Sequence, residues 1–290
     1  MRELPADETR RRLRRALAQW RHWQVAAPLP HPPEIIEVLS GGISNYSVLV
    51  QAGHRFVVRL DGLRPAGLGL NRQAEWRALQ AAAARGLAPT PRYFNPDLGC
   101  LVCDYLPPEE GIDDLAATAR LLRGIHSLPA MHHRLDPRER IRHYEKTLAH
   151  RGIALPPDLA GCRAEVLGLT RTVAGRYSVL CHNDLLRSNR LHSGGRLWAL
   201  DWEYCAMGDP WFDLAVVAAG DALDGAGRET LLRAYLGHAP GPADWRQLHE
   251  QCCVYRFIEL LWYLAAEREC NPRGLLGELR RELRALEKRD

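Results

Sequence analysis

The sequence predicts an α+β protein of two lobes, a small antiparallel-sheet lobe followed by a mostly helical one. Three observations carry that prediction. Short alternating or valine-rich runs cluster between residues 34 and 106. The pair Pro107-Pro108 then marks a change of pattern. Beyond it the pattern is helical to the end of the chain, with one β-rich interruption over Val179–Trp202. Strands and helices segregated along the chain indicate α+β architecture. The expected divisions are residues 1–33, a basic helix with a proline-rich linker, then 34–106, the sheet lobe, and 107–290, the helical lobe.

Residues 7–25 form an arginine-rich amphipathic helix pattern through Leu13, Leu17 and Trp20, broken by Pro28–Pro33. The first strands are expected at Glu34–Leu39, Tyr46–Gln51 and Arg55–Leu60, the last two joined by a turn at Ala52-Gly53-His54. A helix over about Asn71–Arg85 ends at Gly86 and Pro89. Apolar segments near Pro91–Phe94 and Cys100–Leu106 complete the sheet. Helices then follow near 112–128, 137–150 and 158–174, and again after Trp202.

Composition removes several classes of function. The net charge of +4 rests on 39 basic residues, and all but Lys146 and Lys288 are arginine. Neither lysine follows a glycine, so no Gly-Lys-Ser/Thr phosphate loop exists. Cys100 and Cys103 have CxxC spacing but fall on an apolar strand, where positions three apart face opposite ways. No second pair follows at zinc spacing, so the 8 cysteines are expected as buried free thiols. No apolar run approaches the roughly 18–20 residues of a membrane span. The start Met1-Arg2-Glu3-Leu4-Pro5 lacks a secretion signal, and a cytoplasmic protein is expected.

The stretch with most chemical content is Leu180-Cys181-His182-Asn183-Asp184-Leu185-Leu186-Arg187-Ser188-Asn189, followed by Leu200-Asp201-Trp202-Glu203. It reads HxDxxxxN, with an aspartate 12 residues beyond the asparagine. Folding the intervening segment about Gly194-Gly195 pairs Leu191 with Trp198 and returns Asp201 to the level of Asn189. Two oxygen ligands then meet at one end of a hairpin, which suits a hard cation such as Mg²⁺. Asp184, on the loop just before, is left to orient or deprotonate an attacking hydroxyl. Asp, Asn and His are also common turn and cap residues, and the motif gains its weight from the spacing of Asp201.

These residues resemble the catalytic and metal-binding loops of the choline/ethanolamine kinase and thiamine kinase-like branch of the aminoglycoside phosphotransferase superfamily, which has the protein-kinase-like fold. The resemblance runs from about Glu34 to the C-terminal helices. It implies ATP and Mg²⁺ as cofactors, Asp184 as the catalytic residue, and Asn189 and Asp201 as metal ligands. It gives His182 and Asp213, in Gly208-Asp209-Pro210-Trp211-Phe212-Asp213, roles of structural support. It makes Ser40, Gly41, Gly42 and Asn45 part of a loop covering the nucleotide phosphates, and residues 34–106 the nucleotide-binding lobe. Arg59 stands where many kinases keep a lysine, and its fork can hold phosphates bidentately. Glu75 is its implied ion-pair partner, and Asp104 and Leu106 offer backbone groups to adenine. Leu186-Arg187-Ser188 departs from the small turn common in relatives and adds charge at Arg187.

The acceptor implied is a small hydroxylated and cationic metabolite of the choline, ethanolamine or thiamine type. Asp201-Trp202-Glu203-Tyr204 has the form found in that branch, and Glu203, Tyr204, Glu259 and Trp262 are its candidate contacts. Aromatic faces with carboxylates suit an organic cation, although apolar residues of the 255–263 helix equally suit a core. An aminoglycoside acceptor is the alternative, disfavoured by the mixed, slightly basic final helix. A non-catalytic protein that uses its basic first helix for binding is the alternative of another class. Nucleic-acid and membrane partners are not expected.

Overall fold

The structure is a computed structural model that describes residues 7–39, 45–62, 70–111, 114–170, 178–266 and 271–287. Helix α1 (Asp7–Leu17) precedes strands β1 (Glu34–Leu39), β2 (Asn45–Ala52), β3 (His54–Asp61), β4 (Pro91–Asn95) and β5 (Cys100–Asp104). The five strands make one antiparallel sheet in the order β1-β2-β3-β5-β4. Alternate residues of β3, namely Phe56, Val58 and Leu60, are buried on one face, as the period of two requires. Against that face pack Leu13 and Ala16 of α1, and Trp23, whose ring meets Phe56 edge-on at 5.2 Å. The basic helix is therefore part of the sheet lobe. Arg12 reaches back to the carbonyls of Asp61 and Leu98 at 2.9 and 3.2 Å. The helix is shorter than the 7–25 pattern, ending at Leu17 before a 3-10 turn at Trp20–His22.

Helix α2 (Arg72–Ala84) is capped by Asn71, whose side chain accepts from the Ala74 amide at 3.0 Å. Its Ala78, Leu79 and Ala82 turn away from the small core and join the larger one. That core is built by α3 (Leu115–His126), α4 (Pro137–His150), α5 (Pro157–Leu169), α6 (Pro210–Gly220), α7 (Gly225–Leu236), α8 (Pro242–Ala266) and α9 (Pro272–Glu287). Helix α6 is buried continuously from Phe212 to Ala219, so it lies inside this lobe. Two short antiparallel pairs sit among the helices. These are β6 (Val179–Cys181) with β9 (Ala206–Gly208), and β7 (Arg190–Ser193) with β8 (Arg196–Ala199).

The α4 range matches the expectation, while α5 is described only to Leu169, short of residue 174. Strand β9 was not expected, because three residues carry no period. All seven described cysteines are free, and all but Cys103 are buried. Burial pushes the thiols of Cys100 and Cys252 up to about 12, so they serve as small apolar side chains. Among the described residues no helix is long and apolar enough to cross a membrane.

Three C-terminal helices are clamped at Glu282 of α9, which accepts from Arg228 of α7 and His249 of α8, each at 2.6 Å. Burial alone would raise this carboxyl, but the bonds from His249 and Arg228 outweigh it and hold it down at about 2. A carboxyl lowered in the folded state stabilises above its unfolded value near 4.5 and loses that contribution as pH falls towards 2. The contribution is on the order of 3 kcal/mol. Wild type should therefore lose thermal stability across this window more steeply than Glu282→Gln. Parallel Tm-against-pH curves for the two proteins would contradict the clamp.

Candidate active site

The expected hairpin forms with the expected register, Leu191 opposite Trp198. Gly194 and Gly195 turn it with φ of 58° and 69°, the left-handed pair that a two-residue hairpin loop requires. The Leu200 amide donates to the Asn189 carbonyl at 2.8 Å, which brings Asp201 alongside Asn189. Asn183 and Asp201 themselves adopt φ of 63° and 56°. Non-glycine residues are held there at a cost of about 1–3 kcal/mol each, so the surroundings must fix them.

Asp213, fully buried in the first turn of α6, supplies much of that fixing. It accepts from the amides of His182 at 2.8 Å and Asn183 at 2.6 Å, and it meets His126 Nε2 at 3.0 Å. His126 in turn contacts the Tyr235 hydroxyl at 2.7 Å, so it is a packed brace. His182 donates from Nε2 to the Leu200 carbonyl at 2.9 Å and lies 4.9 Å from the Trp202 ring. Burial pushes His182 down to about 4, against the pull of Asp213, so its ring is neutral at pH 7.

The far side of the loop is held by Asp221, just beyond α6. Its carboxylate accepts from the Arg187 amide at 3.0 Å and pairs with buried Arg190 at 2.6 Å. A Cβ at Gly220 would come within 2.2 Å of Leu186 Cδ2, so a glycine there lets the loop approach the helix. Within the loop the Asn189 amide nitrogen donates to the Asp184 carboxylate at 2.9 Å and to its carbonyl at 2.8 Å. That leaves the Asn189 side-chain oxygen clear of this contact.

From the sheet lobe, Arg59 spans Glu75 at 2.5 Å and Asp201 at 3.0 Å. Arg72 spans Glu75 at 2.8 Å, Asp61 at 2.8 Å and Glu203 at 3.0 Å. Asn45 completes the lattice with a 2.8 Å bond to Glu203. Arg59, Glu75, Asn45, Asp201 and Glu203 are thus brought together, with Asp184 and Asn189 beside Asp201. Asp61, Arg72 and Asp221 were missed. Only Arg72 left a signal, its i,i+3 spacing from Glu75 on α2.

Ser40, Gly41 and Gly42 lie outside the described residues. The Asp104 side chain is held by Arg92 at 2.7 Å through both oxygens, and Leu106 follows two residues past β5. Trp262 donates to the Tyr204 hydroxyl at 2.9 Å. Glu259 receives Tyr255 at 3.1 Å and Arg256 at 2.6 Å.

Burial, and then Glu203, push Asp201 up to about 7 against Arg59 and Arg72. Burial, and then Asp201, raise Asp184 well above its ordinary value. Crowded oxygen donors that resist ionisation alone fit a hard divalent cation, whose charge would relieve them.

Residues 35–250 match the model of the phosphotransferase enzyme family. The chain is 30% identical over 208 residues to a thiamine kinase of Escherichia coli, covering 66% of this chain and 67% of that protein. It is 32% identical over 87 residues to the protein LicA of Haemophilus influenzae, a match spanning 29% of this chain and 33% of that one. Its structure resembles that of choline kinase LicA from Streptococcus pneumoniae with a TM-score of 0.72 and 25% identity, covering 86% and 95% of the two chains. The fold is thus the protein-kinase-like one, and the chain belongs to the phosphotransferase enzyme family.

Proposed function

We propose that this protein is an ATP-dependent kinase that phosphorylates a hydroxyl of a small metabolite, with Mg²⁺ as its cation. The observation that carries this reading is the convergence of Asp184, Asn189 and Asp201 next to Arg59. Phosphoryl transfer asks for positioning and charge neutralisation more than for covalent chemistry from the protein. Asn189 and Asp201 would hold Mg²⁺, which when bound draws charge from the phosphate oxygens. Arg59 would hold the α/β-phosphates, Ser40, Gly41, Gly42 and Asn45 would cover them, and the backbone at Asp104 and Leu106 would receive adenine. Asp184 would orient the acceptor. The acceptor oxygen bonds to the γ-phosphorus, the bond to the β-phosphate oxygen breaks, ADP leaves and the hydroxyl proton passes to Asp184. His182 and Asp213 support the loop, and the division after residue 106 separates the nucleotide lobe from the catalytic one.

Choline, ethanolamine and thiamine are the first acceptors to test, given the named relatives, and an aminoglycoside is the alternative. Glu203, bonded to Arg72 and Asn45, is better read as a link between lobes than as an acceptor contact. The burial of Leu13 and Ala16 speaks against α1 as a free binding arm.

Two results follow from this reading. ADP release from Mg²⁺-ATP should occur with an acceptor from a panel of small hydroxylated metabolites and kanamycin. Asp184→Ala should lower kcat by about 10²–10⁴ with little change in Tm, and undiminished turnover would sink the assignment. Glu75→Gln should leave Arg59 and Arg72 facing each other without a shared carboxylate. It should cost about 3–5 kcal/mol in urea unfolding and raise the KM for ATP. Stability and KM both unchanged would deny Glu75 its place.

A further inference from the structure

Most buried arginines of this protein have a carboxylate partner. Arg59, Arg72, Arg190, Arg228 and Arg256 each form at least one ion pair. Arg140 of α4 does not. Its guanidinium lies 4.5 Å from the centre of the Tyr204 ring and 5.8 Å from that of Tyr144, and its Nε donates to the Tyr144 hydroxyl at 3.3 Å. Among the described residues no carboxylate pairs with it, and its remaining N–H donors have no acceptor. The platform beneath it is rigid, because Tyr144 is fully buried and the Tyr204 hydroxyl is held by Trp262.

Arg140 is also tied to the reacting centre. Burial works against its charge, but Tyr144, Tyr204 and then Asp184 sustain it. Tyr204, beneath the guanidinium, lies three residues beyond Asp201, and its carbonyl accepts from the side chain of Asn183, the neighbour of Asp184, at 3.0 Å. Arg140 of α4 therefore lies over the segment that follows Asp201, on the helical-lobe side, whereas Arg59 and Arg72 approach Asp201 and Glu203 from the sheet lobe. Among the described residues no carboxylate forms an ion pair with this half-buried guanidinium, and a ring face cannot satisfy its planar fork of donors.

We propose that Arg140 recognises the acceptor, and that the acceptor carries an anionic group, a carboxylate or a phosphate, beside the hydroxyl that is phosphorylated. The proposal rests on the kinase reading and narrows its substrate class. It departs from the cationic acceptor expected from the sequence, since the tyrosine face suited to an organic cation already carries a cation of the protein. Arg140 would bind the anion through two parallel N–H donors, the geometry in which arginine is strongest.

The test is calorimetric titration of D-glycerate, glycerol 1-phosphate and choline into the full chain with Mg²⁺ and a non-hydrolysable ATP analogue. One of the two anionic probes should bind wild type at least tenfold more tightly than choline does, and which one binds separates carboxylate from phosphate. Arg140→Gln should weaken that probe at least tenfold, Arg140→Lys should fall between, and nucleotide affinity should stay within twofold. With the bound probe as acceptor, the loss should appear in KM. The proposal is overturned if neither anion binds, if choline binds as well as they do, or if Arg140→Gln binds every probe like wild type. A fall in kcat at unchanged KM would assign Arg140 to the transferring phosphoryl group and overturn it too. Failure of the nucleotide itself to bind wild type would count against the kinase reading instead.

Discussion

The arrangement of this molecule depends on one electrostatic constraint, two sheet-lobe arginines shared among four carboxylates. Glu75, almost wholly buried, sits between Arg59 and Arg72 and keeps both guanidiniums in place. Those guanidiniums extend to Asp201 and Glu203, so the segment that follows β8 is tied to the sheet by charge. Burial, and then the neighbouring Glu203, push Asp201 up to about 7 against both guanidiniums. Such a lattice is held together by its own partners, each ion pair supporting the next.

The second constraint is backbone rigidity. Asn183 and Asp201 both occupy the left-handed region; Asn183 directly precedes Asp184, and Asp201 is itself the carboxylate that meets Arg59. Buried Asp213, neutral His182 and the Asp221–Arg190 pair absorb the cost by bonding to the loop from three sides. Asp184 is thereby presented by a loop that cannot relax without breaking buried hydrogen bonds, each costly to leave unmade. Apolar helix α6 supplies two of these supports from its ends, Asp213 in its first turn and Asp221 just past its last.

Much of this was legible in the residues. The β7–β8 register follows from two consecutive glycines between short runs, and it placed Asp201 beside Asn189. The α4 range follows from a proline start after an aspartate cap. The Arg59–Glu75 pair came from the family resemblance and forms. What was not legible has a common physical cause, distance along the chain. Strand β9 is three residues long and forms by pairing with β6 on one side and with the backbone of 133–135 on the other. Asp221 reads as an ordinary helix end, and its importance arises from a loop over 30 positions earlier. Glu203 is expected from the sequence as an acceptor contact, and its bonds to Arg72 and Asn45 join residues more than 130 positions apart. Arg140, one of many arginines, acquires meaning only when Tyr204 packs against it.

The central claim is that Asp201 and its neighbours join a divalent cation to a nucleotide at this hairpin. Its most direct test is the affinity of a non-hydrolysable ATP analogue measured with Mg²⁺ and again with EDTA, in wild type and in Asp201→Asn. Binding should be at least tenfold tighter with Mg²⁺ in wild type, and the variant should lose that difference. Equal affinity with and without the cation in wild type, or a difference that survives in Asp201→Asn, would contradict it.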